Sequence, residues 1–294
     1  MSFAMFIYLA AMLEIKTICV CGAGTMGAGI AQVAAQAGFD TILFDVNEVV
    51  LEKAKTSIEK SLQKLVDKSK LMLEQKVDVL DRITFTSQIE HCIADVCIEA
   101  IIEDKNAKVQ LFNSLAAYNT SDTIFATNTS SISIAIIAAA VKNSERVVGM
   151  HFFNPAPVMK LVEVIRTDQT KEGVIQTIVA LSKKMNKVAV VCKDAPGFIV
   201  NRVARHYYLE AMRMVESGVV NDIATIDAIM QSTGFKMGPF ALMDLIGIDI
   251  NYNVSHIVWE ALGKPERLKP SKMQREKKDA GDLGRKTGKG FYTY

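Results

Sequence analysis

The chain is predicted to form a doubly wound α/β sheet with helices on both faces, followed by a mostly α-helical domain. Three observations predict this. Short apolar runs alternate with helical patterns through roughly the first 190 residues, as in a parallel sheet joined by crossover helices. A glycine-rich turn links the first run to the first helix. Beyond Asp194-Ala195-Pro196-Gly197 the apolar spacing is helical, with only Phe291 to Tyr294 reading as a short final strand. The expected organisation is an apolar N-terminal extension (1–14), an α/β domain (15–193) and a helical domain (194–294).

Residues 1–13, MSFAMFIYLAAML, are almost wholly apolar. A signal peptide carries Lys or Arg near its start and a small-residue cleavage site, and this stretch has neither. It is also shorter than the ~20 apolar residues of a membrane span. Translation is therefore expected to begin at Met12, or the first eleven residues are a dispensable extension. The pattern then enters a strand at Ile15 to Cys21. Further Val- and Ile-rich runs near 40–44, 95–100, 122–127, 146–151, 161–166 and 188–192 read as buried strands. Met26 to Ala37 is small and apolar, as a helix packed on a sheet is. Residues 48–70 read as an amphipathic helix, with Leu51, Ala54, Ile58, Leu62 and Leu65 on one stripe. Another helix covers 172–185. The second domain reads as helices at 198–217, 222–232, 239–263 with breaks, and 271–280.

Composition narrows the function classes. Half of the 294 residues are hydrophobic and Gly plus Pro number only 23, so a sizeable core forms and disorder is excluded. Lys and Arg number 34 against 32 Asp and Glu, so no basic field marks a nucleic-acid partner. Five cysteines without repeated spacing form no disulfide framework and suit a reducing, cytoplasmic setting. Cys19 and Cys21 flank Val20 and share one strand face as small buried side chains. His91 and His206 read as surface residues and His256 as part of a helix. No pair of histidines has metal-ligand spacing, so no metal is expected.

The first turn, Gly22-Ala23-Gly24-Thr25-Met26-Gly27, is a G-x-G-x-x-G between strand and helix. Gly22 permits the tight turn, Gly24 lets the backbone approach a pyrophosphate, and Gly27 lets the helix sit close to the strand. The helix N-terminus offers unpaired N–H groups to phosphate. Asp45 ends the second strand 18 residues after Gly27. A carboxylate there bonds the adenine ribose hydroxyls and repels a 2′-phosphate, which favours NAD over NADP. The turn alone also suits FAD. Together these features predict a Rossmann-type domain.

Three later segments place polar residues at strand ends, where ligands of such sheets lie. Asn128-Thr129-Ser130-Ser131 ends one strand, with a helix cap before Ile132 as the plain structural alternative. His151-Phe152-Phe153-Asn154-Pro155 ends another. Glu163 lies inside the apolar strand Leu161 to Ile165, where a carboxylate is costly unless paired. His151, on the neighbouring strand, is its expected partner. Such a pair suits alcohol oxidation, the imidazole taking the hydroxyl proton as hydride passes to a nicotinamide. A satisfied buried ion pair without catalytic role is the alternative. Residues 51–70 hold six lysines against three acids, and Lys60, Lys64 and Lys68 form one helix stripe suited to phosphates or simply to water. The stretch 264–289, with ten basic and four acidic residues, reads as a solvated tail.

Six ordered segments now carry a resemblance: G-A-G-T-M-G-A-G-I-A (22–31), N-T-S-S (128–131), H-F-F-N-P (151–155), K-L-V-E-V (160–164), D-A-P-G-F-I-V-N-R (194–202) and M-G-P-F (237–240), with G-R-K-T-G-K-G-F-Y (284–292) closing the chain. They resemble the 3-hydroxyacyl-CoA dehydrogenase family, most nearly its bacterial 3-hydroxybutyryl-CoA members, from about residue 15 to the C-terminus. The resemblance implies NAD-dependent oxidation of short L-3-hydroxyacyl-CoA, and a homodimer formed through the helical domain. It implies His151 as base, Glu163 as its partner, and Ser130 and Asn201 bonding the reacting oxygen, with Asn201 brought in by domain closure. It further implies NAD contacts at Gly22, Ala23, Gly24, Thr25, Met26, Gly27, Asp45, Glu103, Lys108, Ser130, Asn154 and Lys286, and CoA contacts at Ser61, Lys68 and Ser130. Two rivals remain at this point: a non-catalytic structural protein on the same fold, and a small hydroxy-acid dehydrogenase using lysine. The His151–Glu163 pair opposes the first and H-F-F-N-P the second.

Overall fold

The computed structural model describes residues 14–294, so all of the 1–14 extension but Glu14, and with it the expected start at Met12, lies outside the described residues. Contacts divide the chain into two compact units, the first ending at Asp194 and the second spanning Ala195–Tyr294. Among the described residues no helix is long and apolar enough to cross a membrane.

The first unit is an eight-stranded sheet. Strand β1 (Thr17–Cys21) leads through helix α1 (Thr25–Gln36) to β2 (Asp40–Phe44). Helices α2 (Glu48–Asp67) and α3 (Leu73–Asp81) lead to β3 (Ile83–Thr86). Then come β4 (Val96–Glu99), α4 (Lys105–Tyr118), β5 (Ile124–Thr127), α5 (Ile134–Ala138) and β6 (Val147–Phe152). Strand β7 (Leu161–Arg166), α6 (Glu172–Lys184) and β8 (Val188–Lys193) complete it. The spatial order is β3-β2-β1-β4-β5-β6-β7-β8. The chain steps outward from β1 to β3 and then restarts at β4 on the other side of β1. That reversal opens a crevice at the carboxyl ends of β1 and β4, where such sheets bind ligands.

The sheet is parallel from β3 to β6, as the alternation predicts, but β7 runs antiparallel to β6. Only residues 153–160 join these two strands, whereas a parallel crossover needs about a dozen residues or more. The hairpin sets His151 directly opposite Glu163 in the register. Four elements escape the sequence reading: β3, α3, α4 and α5. Strand β3 is short and lies at the sheet edge, and α4 sends a lysine, Lys108, inward with Phe112 and Leu115. The long helix predicted for 48–70 ends at Asp67, with Lys68 as its cap.

Ile18, Val20, Ile30, Ala34, Leu43, Ile58, Leu62, Ile98 and Val164 are among the residues of one apolar core between the sheet and helices α1, α2 and α6. Each fully buried Leu or Ile contributes about 1.5–3 kcal/mol. The second unit holds α7 (Val200–Glu216), α8 (Ile223–Ser232), α9 (Pro239–Ile246), α10 (Ile248–Ala261) and α11 (Lys272–Asp279) around Leu209, Met212, Phe240, Met243 and Val258. The break foreseen in 239–263 falls at Gly247, whose φ of 102° ends α9 and starts α10. Phe291 to Tyr294 is not a strand; only an isolated bridge, Lys289 to Thr293, forms there. Its role is different, since the buried Asp244 carboxylate accepts the N–H groups of Phe291 and Tyr292 at 2.8 and 2.9 Å and pins the C-terminus to α9.

Candidate active site

The glycine turn sits where β1 passes into α1. Gly22 has φ 100°, and a Cβ there would lie 2.7 Å from the carbonyl oxygen of Ala100. Gly27 is pressed against the backbone of Gly22, so it too excludes a side chain. Nothing lies within 4 Å of a Cβ built on Gly24, which leaves open space in front of the helix. No side chain caps α1 and no acid stands in its first turn. The first-turn N–H groups of Thr25, Met26 and Gly27 therefore face that space with the partial positive charge of the helix end. A pyrophosphate fits this arrangement. Asp45, just past β2, accepts the N–H of Ala23 at 2.8 Å on one oxygen and of Asn47 at 2.9 Å on the other. The Ala23 N–H thus serves the turn itself, and Asp45 is held beside it with lone pairs to spare.

At the end of β5, Asn128 accepts the N–H of Phe152 through Oδ1 at 2.8 Å, which ties this loop to β6. Glu103 organises the rest of it. Its Oε1 accepts Thr129 Oγ1 at 2.6 Å, Ser131 Oγ at 2.8 Å and the Ser130 N–H at 3.1 Å. Its Oε2 lies 3.2 Å from Lys108 Nζ. Burial raises the Glu103 carboxyl, but Lys108, Thr129 and Ser131 outweigh it and leave it below the usual range. Lys108 is itself only 1% exposed and donates to Glu99 at 2.6 Å. Sequence reasoning passed over Glu99. The signal was present, since Glu99 ends the apolar strand Val96-Cys97-Ile98 just as Glu163 interrupts its own.

His151 and Glu163 face each other across β6 and β7. The Nδ1 to Oε2 distance is 2.8 Å, and both side chains are buried. The Phe153 ring packs on the imidazole, centroids 4.6 Å apart. Asn154 follows on the exposed side of the loop. On β8, burial and the Glu163 and Asp194 carboxylates push the Cys192 thiol up to about 11, so it stays protonated at neutral pH. In the helical unit, Asn201 lies in the first turn of α7, and its carbonyl accepts from Arg205 Nε at 3.0 Å. Lys286 donates to both oxygens of Asp249 at 2.7 Å.

Lys60 and Lys64 are exposed on α2, opposite the buried Leu51, Ala54, Ile58 and Leu62, and Ser61 is half-buried. Among the described residues none of Lys60, Lys64 and Lys68 has an acidic partner within 4 Å. Cys19 and Cys21 are buried with their sulfurs 3.7 Å apart, beside β4. Among the described residues no group of three or more His, Cys, Asp or Glu could hold a metal ion.

A family model for the NAD-binding domain of 3-hydroxyacyl-CoA dehydrogenase matches residues 17–195, and one for the C-terminal domain of the same family matches 197–294. The chain belongs to the 3-hydroxyacyl-CoA dehydrogenase family. Its first unit is the NAD-binding domain of that family, and NAD is its cofactor. A 3-hydroxyadipyl-CoA dehydrogenase of Escherichia coli (strain K12) is 44% identical over 285 residues, which cover 96% of this chain. The chain spans only 60% of that protein's length. A probable 3-hydroxybutyryl-CoA dehydrogenase of Bacillus subtilis (strain 168) is 41% identical, covering 96% of this chain and 98% of the other. The crystal structure of (S)-3-hydroxybutyryl-CoA dehydrogenase from Ralstonia eutropha matches with a TM-score of 0.92 at 36% identity, covering 96% and 99% of the two chains.

Proposed function

We propose that the protein oxidises L-3-hydroxyacyl-CoA to 3-oxoacyl-CoA, reversibly, with short chains such as 3-hydroxybutyryl-CoA and acetoacetyl-CoA as its substrates. The observation that carries this reading is the buried 2.8 Å contact between His151 Nδ1 and Glu163 Oε2. A carboxylate on Nδ1–H fixes the tautomer that keeps the lone pair on Nε2. Nε2 then takes the proton of the substrate hydroxyl, and Glu163 balances the imidazolium that forms. NAD, when bound, supplies the acceptor for the hydride leaving C3. Ser130 and Asn201 hold the reacting oxygen. The Gly22–Gly27 turn and Asp45 bind the dinucleotide, joined by Glu103, Asn154 and Lys286. Ser61 and Lys68 bind CoA.

In this reading residues 15–193 bind the cofactor, while residues 194–294 complete the substrate site and form a homodimer. Exposed Val203, Ile229, Phe235, Leu245, Ile250 and Ile257 in the helical unit support the dimer, which sedimentation of the purified protein tests. A cytoplasmic setting accords with the five cysteines, all of them free. The enzymatic test is loss of NADH absorbance on adding acetoacetyl-CoA, with free acetoacetate as control. Turnover of the thioester alone supports the reading, and inactivity toward a chain-length series of 3-oxoacyl-CoA overturns it. The identity to a relative named for 3-hydroxyadipyl-CoA makes a dicarboxylic member of that series informative.

A further inference from the structure

Glu99 is a buried charge to which the proposed reaction assigns no task. It ends β4 and is fully buried. Its Oε1 accepts Lys108 Nζ at 2.6 Å and the Ile101 N–H at 2.7 Å, and its Oε2 accepts Thr127 Oγ1 at 2.7 Å. Lys108 is thereby flanked by two carboxylates, with Glu99 the nearer and Glu103 at 3.2 Å. Beyond Lys108, the other oxygen of Glu103 gathers Thr129, Ser131 and the backbone of Ser130. A continuous chain of charge-assisted bonds thus runs from the end of β4 to Ser130.

We propose that Glu99 is a positioning residue that acts on Ser130 through Lys108 and Glu103, an inference that rests on Ser130 holding the reacting oxygen. A lysine beside a single carboxylate draws that carboxylate fully to itself. Glu99 takes the stronger bond from Lys108, so Oε1 of Glu103 remains an acceptor for the Asn128–Ser131 loop. Without it, Lys108 turns wholly to Glu103, the three loop donors compete with an ammonium, and Ser130 loses its fixed position. The side chain is not there for stability alone. Burial raises the Glu99 carboxyl above its usual range despite Lys108 and Thr127, so its ionised form costs folding free energy. Lys108, 1% exposed between two acids, likewise serves the cofactor side of the site through Glu103 rather than by its own surface.

The test compares Glu99→Gln in the wild type and in a Ser130→Ala background. Gln keeps the size of Glu and removes its charge. In the wild-type background kcat should fall about tenfold, the usual scale of one charge-assisted bond. The Kd for NADH should change by a smaller factor than kcat, because Glu103 is only one of several dinucleotide contacts, and the melting temperature should hold or rise. In the Ser130→Ala background the same change should cost kcat less than about twofold, because the residue it positions is gone. A merely structural role would lower the melting temperature and leave kcat intact. Equal losses in both backgrounds, an unchanged kcat, or a loss confined to NADH affinity would each overturn the proposal. If Ser130→Ala itself keeps full turnover, the role given to Ser130 fails and this inference with it. If Ser130→Ala is impaired and Glu99→Gln is not, only this inference fails. Should Glu99→Gln not fold, Glu99→Asp, which draws the carboxylate back from Lys108, is put through the same comparison of kcat in the two backgrounds, with the same outcomes for kcat.

Discussion

Asp45 shows how one side chain both builds the cofactor turn and chooses its ligand. Its bonds to Ala23 and Asn47 hold the carboxylate beside the glycine turn, where a 2′-phosphate would meet a fixed negative charge. NADH should therefore be used much better than NADPH. Asp45→Ala should weaken NADH and narrow the gap, because both an acceptor and a repulsion are removed; kcat/KM for the two cofactors measures it, and a wild type that prefers NADPH contradicts it. His151 is the second test at this scale. His151→Gln should lower kcat by about 10²–10⁴-fold, the usual worth of a positioned acid–base group, while NADH still binds. Glu163→Gln should also lower kcat, since an amide orients the imidazole without balancing its charge. Thermal melts must accompany both, because an unpaired buried Glu163 destabilises the fold. Near-normal turnover by folded His151→Gln protein would remove His151 as the base. These residues were legible because polar groups in apolar strands demand partners. Glu99 obeyed the same rule, but its partner Lys108 lay in a helix whose face the sequence did not reveal, since a buried lysine reads as a surface one.

Element by element, legibility followed the strength of the repeat. Helix α2 was readable from its apolar stripe, and only its end differed, with the chain leaving the helix at Lys68. Strand β7 was readable as a strand but not in its direction, which depends on the length of the 153–160 connection rather than on its own residues. That direction is what makes partners of His151 and Glu163. The basic face of α2 carries the third prediction. Replacing Lys60, Lys64 and Lys68 together by Gln should raise KM for the CoA thioester more than it changes kcat, because phosphates remote from the reacting carbon act as uniform binding. All three lysines are exposed, so the effect should shrink at high salt. An unchanged KM at low ionic strength would return this face to a solvated helix surface.

At the scale of the whole molecule, acid titration should separate carboxyls that hold the fold from one kept at its expense. Among those that a lysine helps to hold below their usual range are Glu103 in the α/β unit and Asp249 in the helical unit, where burial is outweighed by Lys286. A lowered carboxyl contributes stability above its unfolded value, about 3.9 for Asp and 4.3 for Glu, and loses it as pH falls through the lower folded value. The melting temperature of the wild type should therefore exceed that of Glu103→Gln, and of Asp249→Asn, at pH 6. Each margin should shrink and close as the pH is taken below about 4. Glu99 is raised instead, and the sign reverses. Its ionised form costs stability above the folded value, and the cost is relieved as pH falls through it, which happens above the unfolded value of about 4.3. Any margin that favours Glu99→Gln at neutral pH should thus vanish first, while the margins against Glu103→Gln and Asp249→Asn are still present. Melts of the four proteins at half-unit steps of pH decide the matter. If all the margins close together below pH 4, Glu99 is an ordinary stabilising carboxylate, and its charge is not carried at the expense of the fold.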